Sequence, residues 1–99
     1  MFQYEIIFTP EATDDINQLT HYIENELMLP QTAQSYIAGI YGTIGKISFV
    51  GGAISQREYI QMLYGPNART AIYKKMTIVF NIIDDVVLIR RIMPGSMVL

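Results

Sequence analysis

The sequence predicts an α+β domain: an N-terminal strand, an antiparallel two-helix hairpin, then a mainly antiparallel sheet of three C-terminal strands. Three observations lead there. The chain opens with a dense run of β-branched and aromatic residues that ends at Thr9-Pro10. Two stretches of helical period follow, separated by Pro30, and after residue 68 the period changes to that of strands. With 99 residues and 11.3 kDa the chain has room for one domain, taken as 1–99.

Each element has a local cause. Residues 2–9, FQYEIIFT, read as a strand because such side chains pack well on a pleated surface. Thr9-Pro10-Glu11 reads as a helix start: a capping hydroxyl, a proline where its missing donor is harmless, and an acid at the positive end of the dipole. Ala12, Ile16, Leu19, Ile23 and Leu27 then form one apolar stripe, which stops near Met28 because Pro30 cannot continue it. Ala33, Ile37, Ile40, Ile44 and Ile47 form a second stripe that ends at Gly51-Gly52, and so short a join makes the two helices antiparallel neighbours. Gly39, Gly42 and Gly45 lie inside that helix at about 1 kcal/mol each relative to alanine, which close packing would offset. The run GIYGTIG lacks the Lys-Ser/Thr ending of a phosphate loop and sits within a helical period. Residues 53–68 read mostly as a loop, with a helical turn through Tyr59–Leu63 and a turn at Gly65-Pro66-Asn67. Strands are expected at 69–75, 76–83 and 86–93, with Asp84-Asp85 turning between the last two.

Composition restricts the chemistry. The absence of cysteine excludes disulfide scaffolds, thiolate metal sites and cysteine nucleophiles, and agrees with a reducing compartment. His21 is the only histidine and falls between the stripe positions of the first helix, so no metal site and no Ser-His-Asp arrangement is expected, and no cofactor. Neither a secretory leader nor a membrane span is visible, which makes the expectation cytoplasmic, without membrane. Charged residues are 16% of the chain against a usual value of about 25%, a shortage of solvating groups that points to a partner surface. The charge is also uneven. Residues 1–45 carry six acids and no Lys or Arg, net −6, whereas 46–99 carry seven bases and three acids, net +4. A polyanion or an acidic protein is the expected partner of the second half.

Arg69, Tyr73, Lys74, Lys75, Arg90 and Arg91 fall on or beside consecutive strands, and pairing strands bring remote residues together, so one basic patch is expected. Arginine suits phosphate because its fork donates two hydrogen bonds, and a lysine near a scissile phosphate stabilises developing charge without metal. Strict alternation puts Arg90 and Arg91 on opposite faces, so one of them should lie toward the helices, where it needs an ion-pair partner.

The whole chain resembles the RelE/ParE superfamily, the small toxins of bacterial type II toxin-antitoxin (plasmid stabilisation) modules. The resemblance is carried by YEIIFTPEATDDINQL, by QTAQSYIAGIYGTIGKI and by RTAIYKKMTIVFNIIDDVVLIRRIMPGS. It implies a toxin neutralised by an antitoxin whose disordered, acidic segment wraps it. RelE-like members cut mRNA on the ribosome without metal, with Arg and Lys on the sheet and a Tyr or His near the C-terminus. Here the middle-strand position where such nucleases carry Arg is Thr77, and Pro94 stands where related sequences have His. ParE-like members poison DNA gyrase and need no catalytic residue of their own, and RIMPGS is close to their ending. The resemblance therefore favours a ParE-like gyrase inhibitor that causes growth arrest. In that reading Arg69, Lys74, Lys75, Arg90 and Arg91 contact the target or the antitoxin. The alternatives are a ribosome-dependent endonuclease using Arg69, Tyr73, Lys74, Lys75, Arg90 and Arg91, and an inactive homologue that only binds antitoxin. A homodimer is compatible with all three.

Overall fold

A computed structural model describes residues 2–97; the outermost three residues of the predicted domain lie outside this description. The elements in chain order are β1 (Glu5–Phe8), α1 (Pro10–His21), α2 (Pro30–Val50), α3 (Glu58–Tyr64), β2 (Ala68–Tyr73), β3 (Met76–Ile83) and β4 (Val86–Pro94). One sheet has the order β1-β4-β3-β2. β1 runs parallel to β4 and pairs Glu5 with Val86, while β3 is antiparallel to both β2 and β4. This is the predicted α+β plan. The parallel β1 uses the two helices as its crossover, as a parallel pairing requires.

The start of α1 follows its sequence. Thr9 Oγ1 accepts the Ala12 N–H at 3.1 Å, Pro10 occupies the first turn, and the Thr9 hydroxyl donates to the Arg90 carbonyl at 3.0 Å. That last bond ties the helix start to the sheet. The predicted stripe buries Ala12, Ile16 and Ile23. Leu27 is exposed, because Tyr22–Glu26 widen into a π-turn and Met28 takes a left-handed φ of 55°, which swings the last stripe position away from the core.

In α2 the stripe Ala33, Ile40, Ile44 and Ile47 is buried, with Ile37 half-buried. Gly39 is explained by close packing, since a Cβ there would overlap the Tyr73 ring, but Gly42 and Gly45 face open space. These aliphatics meet Ile78, Phe80, Val87, Ile89 and Ile92 from alternate positions of β3 and β4. Removing each large side chain from water contributes about 1.5–3 kcal/mol. The second helix-forming region is longer than expected: Glu58–Tyr64 is a full α3, which lays Ile60 and Tyr64 on Ala68 and Val79 across the other face of the sheet. Lys74 and Lys75 form the β2–β3 turn instead of ending a strand, with Lys74 at φ 53°, and Asp84 at φ 54° makes the predicted turn before β4.

Candidate functional site

The face of the sheet opposite the two long helices carries the polar side chains of the strands. Thr77, Val79 and Asn81 alternate with Ile78, Phe80 and Ile82, which belong to the helix-packed core. Over this face lies α3, and the residues flanking it are held by side chains of the sheet.

Two arginines and an asparagine do the holding. Arg69, 9% exposed, donates from Nε to the Ile54 carbonyl at 2.7 Å and from Nη1 to the Asn67 carbonyl at 3.0 Å. Asn81 donates from Nδ2 to the Tyr64 and Pro66 carbonyls at 3.1 and 3.0 Å. Arg90 Nη1 reaches both the Tyr64 carbonyl, at 3.0 Å, and Asn81 Oδ1, at 2.9 Å, with its guanidinium over the Tyr64 ring. These donors satisfy the carbonyls at the C-terminus of α3 and in the turn after it, which the helix leaves without partners.

Arg91 is engaged differently. Its Nε and Nη2 grip both oxygens of Asp15 at 2.8 and 3.1 Å, and the same carboxylate accepts the Ile92 N–H at 2.8 Å. The hydrogen bond to Asp15, helped to a lesser degree by its charge, holds the Arg91 guanidinium above its ordinary pKa against the opposing effect of burial. Asp15 of α1 thus serves the sheet edge beyond the end of β1.

The expectation that one of Arg90 and Arg91 lies toward the helices with an ion-pair partner is met by Arg91, which reaches Asp15 of α1 from the rim of the sheet and not from inside the core. Val79 pairs with Arg91 and Phe80 with Ile89, so Arg90 is the extra residue of a β-bulge. The bulge lets Ile89 and Ile92 both enter the helix-packed core while the two arginines between them stay half-buried outside it.

Lys74 and Lys75 occupy the opposite end of the β2–β3 hairpin from Arg69, five strand steps or about 17 Å away. Lys74 Nζ stands 5.6 Å from the Tyr73 ring centre and 5.7 Å from that of Tyr36, whose rings meet edge to face. Tyr73 is seated by Gly39. The single basic patch expected from the sequence is therefore three separate places: the hairpin turn, the mooring of α3, and the Asp15 edge.

Beside α3 the open face forms a cleft of about 250 Å³ lined by Arg57, Tyr59, Ile60, Thr70, Ile72, Thr77 and Gly95. Thr77 is 7% exposed and lines the cleft, and among the described residues no buried side-chain polar atom is left without a hydrogen-bond partner. Arg57 is exposed, and its guanidinium makes no ion pair or hydrogen bond among the described residues. Sequence reasoning missed Arg57, Tyr59 and Thr70 as site residues. The one available signal was the position of Arg57 shortly before the helical turn expected through Tyr59–Leu63.

No family model matches the chain, and no curated protein matches its sequence. Solved structures do. A chain of the chromosomal ParDE TA system from P. aeruginosa superposes with a TM-score of 0.74 at 19% identity, over 93% of this chain and 96% of that one. A chain of the toxin-antitoxin complex RelBE2 from Mycobacterium tuberculosis gives 0.60 at 18% identity, over 93% and 98%. With the order β1-β4-β3-β2 and a helical hairpin as the crossover, the chain has the RelE/ParE-like fold.

Proposed function

We propose that the chain is the toxin of a toxin-antitoxin module, ParE-like in action, which inhibits DNA gyrase by binding it in the cytoplasm and is neutralised by a cognate antitoxin. The observation that carries this reading is the engagement of the arginines. Arg69 and Arg90 donate to backbone carbonyls around α3, and Arg91 is clamped by Asp15. None of the three is left open to polarise a phosphate, which a nuclease would need. Thr77 adds no charge at the centre of the open face. Pro94 supplies no proton donor, a loss worth 10² to 10⁴ in rate where such a group acts. The higher TM-score toward the ParDE chain than toward the RelBE2 chain points the same way.

The test is gyrase-catalysed supercoiling and cleavage of plasmid DNA with ATP as purified protein is added. Inhibition with accumulating linear DNA is expected. Absence of any effect well above the gyrase concentration would refute the reading.

One observation favours a second reading, a ribosome-dependent endonuclease. Tyr73, Lys74 and Lys75 do stand together at the hairpin turn, with the Lys74 ammonium near two phenol rings. New 5′ ends in mRNA incubated with ribosomes and protein, abolished by Lys74→Ala with Lys75→Ala, would establish it. Silence in both assays and no growth arrest on induction would identify a homologue that only binds antitoxin.

A further inference from the structure

We infer that the cleft between α3 and the sheet is the anchor pocket for one acidic side chain of an otherwise apolar partner segment, received by Arg57 at its rim and Thr77 at its floor. This rests on the reading that an antitoxin binds the chain, and it names where and by what chemistry.

The floor is the first argument. Thr77 alternates with core residues, so its side chain leaves the core face, and it lines the cleft. A ligand oxygen that enters the cleft replaces water beside the Thr77 hydroxyl. Thr70 and Tyr59 add two further hydroxyls among the lining groups. No lining residue is acidic, and the only charge is Arg57. An oxyanion is the ligand this set accepts, because every polar side chain in it can donate.

The surroundings decide which oxyanion. Ile72 is 69% exposed beside the cleft, and α3 turns Met62, at 78%, and Leu63, at 51%, outward. Ile60 and Ile72 line the walls. Nucleic-acid interfaces are polar and strongly positive. A single cation set in an apolar apron is instead the pattern of a protein interface, in which apolar groups surround a desolvated polar anchor. The partner segment therefore carries Glu or Asp flanked by aliphatic residues. Arg57 also supplies, from α3, a cation on the face where the middle strand itself offers only Thr77.

The test is an NMR titration of the full chain with three probes: acetyl-Leu-Glu-Leu-amide, acetyl-Leu-Gln-Leu-amide and uridine 3′-monophosphate. Saturable shifts of the Thr70, Thr77 and Gly95 amides by the Glu peptide are expected. The Gln peptide should bind about tenfold more weakly, as should the Glu peptide to Arg57→Gln, and Thr77→Val should weaken it about threefold. The Arg57 guanidinium makes no hydrogen bond or ion pair among the described residues, so its variant keeps the fold and the titration stays readable. Equal binding of Glu and Gln peptides, no shifts at these amides, or tighter binding of the nucleotide would each overturn the proposal, the last in favour of RNA. The gyrase assay is independent of this result: a chain that ignores gyrase but takes the Glu peptide breaks the proposed function and keeps the pocket.

Discussion

The two faces of one sheet are built on opposite principles. Toward α1 and α2, β3 and β4 present Ile78, Phe80, Val87, Ile89 and Ile92, all at 2% exposure or less, against isoleucines of α2. Toward α3, the same strands present Thr77, Val79, Asn81 and Arg90, and a small apolar contact of Val79 with Ile60 and Tyr64 is joined by hydrogen bonds to the carbonyls after the helix. One face obtains stability from burial that needs no direction. The other obtains position from directed bonds, each of modest net worth, and leaves groups over for a partner. Side-chain alternation lets a single strand do both, and the bulge at Arg90 preserves that division where alternation alone would have put an arginine into the core.

Substitutions can break this contrast in graded steps. Phe80→Ala removes the largest fully buried side chain and should lower stability by about 3–5 kcal/mol, read as a fall in the urea midpoint. Gly39→Ala forces a methyl into the space of the Tyr73 ring, at about 1–3 kcal/mol by the same measurement, whereas Gly42→Ala, which meets nothing, should stabilise slightly. Asn81→Ala should cost about 1–3 kcal/mol, because it strips partners from the Tyr64 and Pro66 carbonyls. Hydrogen exchange should then quicken in residues 58–67 more than in α1, and uniform acceleration would mean that the open face is as cooperative as the core. Asp15→Ala, at the partly exposed edge, should cost about 1 kcal/mol. Arg57→Gln should change the urea midpoint least of all, within about 0.5 kcal/mol, since its guanidinium makes no hydrogen bond or ion pair among the described residues.

The helix-packed face was largely legible from spacing alone. The stripes through Ala12 and Ile16, and through Ala33, Ile40, Ile44 and Ile47, mark the core because burial enforces period. The open face was not legible, for identifiable reasons. α3 is apolar on both sides, with Ile60 and Tyr64 inward and Tyr59, Met62 and Leu63 outward, so no period separates its faces. The bulge carries no glycine to announce it. The Arg91–Asp15 pair joins residues 76 apart in sequence, a contact that only the sheet order creates. Alternation and proximity in sequence could not reveal that Arg69, Arg90 and Arg91, three of the six nominated residues, are internal fastenings.

The order β1-β4-β3-β2 also sets a timetable for synthesis. β4, the last strand made, lies between the first strand and β3, and Glu5 finds its partner only in Val86. A growing chain can form the helical hairpin early, but it keeps the aliphatic side of that hairpin uncovered until β4 has emerged. Translation products that lack β4 thus lack an interior strand of the sheet, and whatever activity this fold supports begins only once β4 has been made.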